Sequence, residues 1–445
     1  MRAQLEYGGN MRKIIINGGH QIYGDVQISG MKNAALPVIF ASILANGVSV
    51  IDNIPPVSDV YDALELLSEL GAKIAFHNKT CVEIDTTDFD IQLPSTELTG
   101  KMRASAYLLG AELGRFGRAE VGWPGGCDFG IRPLDLHRKG FEALGAKVWT
   151  KGATIYVDAP EGLNASYINL RLPSVGATVN IILASVLANG VTQIVGAARE
   201  PHIIDLVGYL NSCGADIRGA GTDTIKIYGV RSLHGANYKI LPDMIEAGTF
   251  MTAVAACGGK VNVRSVVPKH LESIAGTLIS MNVGVEFGSD FVTVTSNGYI
   301  RPAEIQTDYY PGLPTDMHPQ FGTLMALADG TGRITDKVFT NRFKYVEQLQ
   351  KMGAHIEVTQ PTAEFVGGEL GGAAVTAVDL RAGAALIVAG LAASGTTVIS
   401  NIELIERGYY NIIGKFKALG ADIYMRDDFS ETETLSGIRG MKNLI

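Results

Sequence analysis

A chain of 445 residues with 47% apolar and 7% aromatic content is long enough for two or three domains with real cores, while a formal net charge of −8 lacks the basic face that nucleic acid requires. Four widely spaced cysteines, Cys81, Cys127, Cys213 and Cys257, show none of the paired CxxC spacing of a zinc or dithiol site, and point to a reducing compartment. No N-terminal stretch combines a basic region, an apolar run and a small-residue cleavage site, and no apolar run reaches the length of a membrane span, so the cytoplasm is the expected location and no membrane is expected as a partner.

Residues 1–10 are polar and unpatterned, and carry no assigned role. Strand-like segments at 13–17 and 25–28 follow, and from there the chain repeats itself. A helix ending, glycine and strand recur six times, at Gly71, Gly145, Gly214, Gly284, Gly353 and Gly420, spaced 67 to 74 residues apart. Each repeat also holds an apolar helix that runs to a glycine: 32–47, 101–117, 174–190, 243–259, 315–330 and 379–395. Apolar residues fill nearly every position of several of these, as in Ile181 to Ala188, which marks helices buried on all sides. The other helix of each repeat is amphipathic, as from Asp59 to Leu70, with its acids expected outward.

A unit of about 70 residues reading strand, helix, strand, helix, strand, strand cannot bury its faces alone. The expected fold class is therefore α/β: a two-domain inside-out α/β barrel of six repeats, three per domain, helices inside and sheets outside. The leading strands have no counterpart after Ile423 and are expected to complete the C-terminal group. The chain then divides into 1–31 plus 242–445 as one domain and 32–241 as the other, crossing near Gly30 and Leu241-Pro242. Three helix N-termini per domain would face the cleft, a ready site for anions.

Those helix starts differ in charge. The first three read Gly30-Met31-Lys32-Asn33, Lys101-Met102-Arg103 and Arg171-Leu172-Pro173-Ser174-Val175. The last three read Pro242-Asp243, Pro314-Thr315-Asp316 and Val378-Asp379-Leu380-Arg381. For Asp243, Asp316 and Asp379 the plain reading is N-capping, worth about 1 kcal/mol each, and it is accepted for Asp243. Lys32 opposes the helix dipole unless an anion intervenes, so its removal is expected to leave stability unchanged or to raise it. Arg342 and Arg407 occupy equivalent loops of the last two units, and taken singly each reads as a solvated surface arginine. Between the second apolar helix and its amphipathic partner lies Pro124-Gly125-Gly126-Cys127, followed by Arg132-Pro133-Leu134-Asp135-Leu136-His137, with Pro133 expected at the first helical position. A lone thiol on a glycine loop, five residues from a cation, reads as a reactive group on a lid more than as a core cysteine.

These stretches, with Gly30 to Pro37, Pro314-Thr315-Asp316-Met317, Asp379-Leu380-Arg381-Ala382 and Arg407-Gly408-Tyr409, closely resemble the UDP-N-acetylglucosamine 1-carboxyvinyltransferases. The resemblance runs from about Met11 to Ile423. It implies transfer of the enolpyruvyl group of phosphoenolpyruvate to the 3-hydroxyl of UDP-N-acetylglucosamine with release of phosphate, the first committed step toward peptidoglycan, with no metal and no cofactor. It further implies that Lys32, Arg132 and Arg407 clamp phosphoenolpyruvate, that Cys127 donates the proton and reacts with the epoxide fosfomycin, and that Asp316 binds the sugar hydroxyl as base. Asn33, Arg103, the run Arg132, Pro133, Leu134, Asp135, Leu136 and His137, with Ser174, Val175 and Val338, resemble positions that hold the intermediate, uridine and diphosphate. Arg342, Asp379 and Arg381 are placed with them, and Asn33 and Lys32 also among the catalytic group. The sequence departs from the pattern at Leu172, Met244, Trp123 and Tyr410. A shikimate-type enolpyruvyl transferase lacks the cysteine loop, an RNA cyclase would need a histidine nucleophile and a basic groove, and a non-catalytic UDP-sugar sensor would have lost the reactive positions that are all present here.

Overall fold

The computed structural model describes residues 11–90, 94–125, 134–339 and 341–428. The repeated unit is clearest in its third copy: strand Tyr167–Asn169, helix Val175–Ser185, strand Val191–Val195, helix Pro201–Ser212, then strands Asp216–Arg218 and Thr224–Tyr228. The first strand pairs parallel with the second, and the remaining pairs are antiparallel. Val175–Ser185 is buried from Ala177 onward, as a helix apolar at most positions requires, while the strands bury alternate residues and give their other face to water.

The apolar helices sit inside. Met244–Cys257, His318–Leu327 and Leu380–Ala392 pack on one another, and Tyr107–Phe116 packs on both Lys32–Ala41 and Val175–Ser185. The sheets line the outside as separate three- and four-stranded sheets, with one further two-stranded pair, and none closes on itself among the described residues. Strand Met11–Asn17 lies between Thr396–Ser400 and Asp422–Asp428, and Ile22–Gln27 pairs parallel with Gly259–Arg264. The N-terminal strands thus complete the sixth and fourth sheets. In the same way Asn237–Lys239, from the end of the third unit, pairs with Val48–Asp52 of the first. The segments at Gly30 and Pro242, where the sequence divides the chain, are bonded to each other: Met31 N donates to Leu241 O at 2.8 Å and Asp243 N to Ser29 O at 2.9 Å. A Cβ on Gly30 would lie 1.6 Å from the Asn53 carbonyl oxygen, so only glycine fits this crossing.

Three local expectations change. The second buried helix does not start at Lys101: Ser95 caps a separate short helix, Thr96–Lys101, and a 3-10 turn at Arg103–Ala106 leads into Tyr107–Phe116. Gly117 stops its helix directly with φ 72°, whereas Gly190, Gly330 and Gly395 stand beyond helices that end at Ser185, Leu327 and Ala392, and shape the turn into the next strand. In the fourth unit the left-handed residue equivalent to Gly71 is Asn282, φ 73°, and Gly284 already begins the strand; asparagine tolerates that conformation better than other side chains.

Candidate active site

Lys32 opens the first buried helix with no side-chain cap behind it, and its Nζ lies 3.0 Å from Asp59 Oδ2. Arg407, from the loop before the last helix, donates Nε to Asp59 Oδ1 at 2.8 Å and Nη2 to the Lys101 carbonyl at 3.1 Å. Residues from opposite ends of the chain therefore share one carboxylate. Asp59 is the member of this cluster that sequence reasoning misses. Helix amphipathicity turns it outward in Ser58–Glu69, but it is buried, while Glu65 and Glu69 do face water. Burial pushes its pKa up, and Lys32 and Arg407 more than reverse this, so the group is held below the usual aspartate range. Asp59 is also the anion that relieves Lys32 of its conflict with the helix dipole. Asn33, beside Lys32, is half-buried.

The second cluster lies at the start of the fifth buried helix. Asp316, in the 3-10 turn Thr315–Met317, takes Arg342 Nη2 on Oδ1 at 2.9 Å, and Arg381 Nε and Nη2 on Oδ2 at 3.2 and 3.0 Å. Burial raises its pKa, but the two guanidinium groups outweigh this and hold it far below the carboxylate range. Arg342 is no surface arginine: among the described residues it is the largest fully buried side chain, and Asp316 supplies the charge opposite it. Arg381 also stands 5.3 Å over the Tyr409 ring, whose hydroxyl meets Thr249 Oγ1 at 2.8 Å. The three carboxylates at equivalent helix starts separate cleanly. Asp243 accepts from Ile245 N and Glu246 N, and Asp379 from Arg381 N and Ala382 N, as N-caps do, whereas Asp316 makes no cap bond and takes arginines instead.

A third group gathers on the first half. Arg103 begins its 3-10 turn half-buried, its pKa lowered by burial. His137 is buried, meets Asn180 through Nδ1 at 2.7 Å, and is lowered to about 4 by burial and by Arg103, so its imidazole is neutral at pH 7. Gly176 lies against that ring, with room of only 3.0 Å for a Cβ. Ser174 caps Val175–Ser185 through Ala177 N, and Val175 is half-buried. Leu134 precedes helix Asp135–Ala143, with Asp135 exposed and Leu136 half-buried. Val338 donates its amide to Asp336 Oδ1 at 2.8 Å. Cys127, Arg132 and Pro133 lie outside the described residues. The stem of their loop is tightly placed: a Cβ on Gly125 would meet the Gly100 carbonyl oxygen at 1.7 Å. Of the other thiols, Cys213 and Cys257 are raised by burial, Cys257 to about 12, and Cys81 by burial and Asp52, so none is poised to react.

Residues 16–416 match the family model of EPSP synthase (3-phosphoshikimate 1-carboxyvinyltransferase). The UDP-N-acetylglucosamine 1-carboxyvinyltransferase 2 of Clostridium acetobutylicum is 48% identical over 415 residues, 93% of this chain and 99% of its own. The enzyme of the same name from Listeria monocytogenes is 46% identical over 422 residues, 94% of this chain and 99% of its own. Among solved structures, the enolpyruvyl transferase NikO from Streptomyces tendae superposes with a TM-score of 0.83 at 25% identity, covering 94% of this chain and 100% of that one. EPSP synthase from Acinetobacter baumannii gives 0.71 at 18% identity over the same shares, a likeness of fold.

Proposed function

The chain belongs to the EPSP synthase family of enolpyruvyl transferases, and from that membership we propose that it moves the enolpyruvyl group of phosphoenolpyruvate onto the 3-hydroxyl of UDP-N-acetylglucosamine, releasing phosphate. What carries this reading is the convergence of Lys32 and Arg407 on Asp59, in a chain 48% identical to an enzyme of that name over 99% of the latter's length. Two cations offer phosphoenolpyruvate a seat for its carboxylate and phosphate, with Arg132 as the third. The sugar oxygen attacks C2 as C3 takes a proton, giving a tetrahedral adduct. Loss of the C3 proton and cleavage of the C2–O bond to phosphate then restore the double bond. Asp316, kept anionic by Arg342 and Arg381, orients the attacking hydroxyl and, as base, takes its proton while the oxygen bonds to C2. Its product would enter peptidoglycan precursor synthesis, in the cytoplasm.

Cys127 is proposed as the proton donor at C3 and as the nucleophile that opens fosfomycin. Peptide mapping after fosfomycin in the presence of UDP-N-acetylglucosamine should place the adduct on Cys127; a label on Cys81, Cys213 or Cys257 would overturn the assignment. We also propose that 1–31 with 242–445, and 32–241, move as two bodies about the paired segments at Gly30 and Pro242, since Lys32 and Arg407 lie on opposite sides of that division. The decisive assay for the activity is phosphate release from phosphoenolpyruvate with UDP-N-acetylglucosamine against shikimate 3-phosphate. Turnover with the second acceptor alone would defeat the proposal.

A further inference from the structure

Asp336 ends strand Thr331–Asp336, is buried, and uses its two oxygens on different neighbours. Oδ1 accepts from Thr307 Oγ1 at 2.9 Å, Val338 N at 2.8 Å and Phe339 N at 3.0 Å. Oδ2 accepts from Thr315 Oγ1 at 2.7 Å. The amide bonds on Oδ1 are those by which an aspartate closes a local turn, and the turn would be complete with that oxygen alone. Oδ2 reaches elsewhere, to the residue immediately before Asp316, in a 3-10 turn that has no side-chain cap of its own. Val338 and Phe339, whose amides Asp336 holds, stand four and three residues before Arg342, the partner of Asp316.

We propose that Asp336 is a two-armed positioning residue: through Oδ2 and Thr315 it fixes the turn that presents Asp316 to the acceptor hydroxyl, and through Oδ1, shared by Thr307 and the amides of Val338 and Phe339, it shapes the segment at Val338, which the family resemblance places against the acceptor's nucleotide. This rests on the function proposed above. The two arms separate in kinetics. Binding energy at the nucleotide is uniform through the reaction, whereas the placement of Asp316 counts most at the transition state, where the hydroxyl proton becomes acidic.

The test removes one hydroxyl at a time, leaving the carboxylate in place. Thr315→Val should lower kcat about tenfold or more while leaving the KM and calorimetric Kd for UDP-N-acetylglucosamine within about twofold. Thr307→Val should raise that KM and Kd about tenfold and spare kcat. Thr315→Ser, which keeps the hydroxyl, should restore kcat. If a valine variant fails to fold, alanine against serine at the same position makes the same comparison. Equal effects of both variants on the same parameter, or a loss of melting temperature with both parameters unchanged, would reduce Asp336 to a structural cap and overturn the proposal. The outcomes are distinguishable from failure of the functional reading, because an unmodified protein that binds UDP-N-acetylglucosamine without turning over refutes that reading, while the Kd contrast between the two variants still decides the nucleotide arm.

Discussion

Two carboxylates in this molecule stand between two cations each, and they are built inside out relative to one another. In the Lys32–Asp59–Arg407 group the anion is hidden together with one cation, the side chains of Asp59 and Lys32 being 7% and 9% exposed, and Arg407 reaches the surface at 20%. In the Arg342–Asp316–Arg381 group the cations are hidden, at 1% and 4%, and Asp316 is exposed at 27%. What a triad shows to a ligand is its least buried member. The first presents positive charge and suits an anionic substrate, while the second presents a carboxylate that two buried arginines keep ionised and suits a hydroxyl. The same three charges thus suit opposite partners, according to which of them burial leaves in reach of water.

The largest effect should follow from neutralising the presented anion. Asp316→Asn is expected to lower kcat by about 10²–10⁴ and to cost about 3–5 kcal/mol of stability, since it takes away the charge shared by two buried arginines. Phosphate release and thermal melts read both. A full loss of kcat with an unchanged melting temperature would mean that the arginines do not depend on Asp316, and the comparison would fail on its second side.

On the first side, Lys32→Ala or Arg407→Ala should weaken phosphoenolpyruvate binding by about 10–150-fold, the value of a charge-assisted contact of about 1.5–3 kcal/mol. From the helix dipole alone, Lys32→Ala would be neutral or stabilising. The structure reverses that sign, because Lys32 is a partner of buried Asp59, and the variant should melt at a lower temperature than the unmodified protein. A raised melting temperature would show that the dipole conflict outweighs the pair.

Glu112 is the control for both triads, a carboxyl with no cation beside it. Fully buried, with only a 3.4 Å contact from Glu120 N on Oε2 and no partner for Oε1 among the described residues, it is pushed up to about 8 by burial. A raised folded pKa means that its contribution is fully present below the ordinary glutamate value and lost as pH rises through about 8, by up to about 1.4 kcal/mol per pH unit. Asp59 and Asp316 are depressed, so theirs is present above the ordinary aspartate value and lost as pH falls through the folded values. Glu112→Gln should therefore melt higher than the unmodified protein above pH 8 and about equally at pH 4. An advantage independent of pH would mean that Glu112 does not titrate in the fold.

What the sequence made legible, and what it hid, follows the distance between partners. Six units, their buried helices and their turns rest on periodicity and on residues adjacent in the chain, and they were readable. Even Asn282 failed only because a neighbouring Gly284 drew the alignment two residues along. Asp59 has the look of any acid in a helix's first turn; its partners lie 27 residues before it and 348 after it. Arg342 reads as solvated until Asp316, 26 residues earlier, is folded onto it. Lys32 was singled out because it violates a local rule, and such violations are the one long-range signal that a single sequence carries.

The smallest effect belongs to Asp379, which sequence placed among the substrate-binding residues. Its Oδ1 accepts from Arg381 N at 2.8 Å and Ala382 N at 2.9 Å, and it starts the helix that delivers Arg381 to Asp316. Removing such a cap costs about 0.5–2 kcal/mol, and serine replaces it at little loss. Asp379→Ala should therefore lower stability by about 1 kcal/mol, and Asp379→Ser should recover most of it. Kinetics then assign the role. A residue that only caps is indifferent to the exchange of a carboxylate for a hydroxyl, so Asp379→Ser would keep both kcat and the KM for UDP-N-acetylglucosamine. A residue that also binds the acceptor through its charge would lose affinity in Asp379→Ser although the fold is restored. Asp316→Ser can make no such recovery, since Asp316 caps nothing and its charge is what the buried arginines are arranged around.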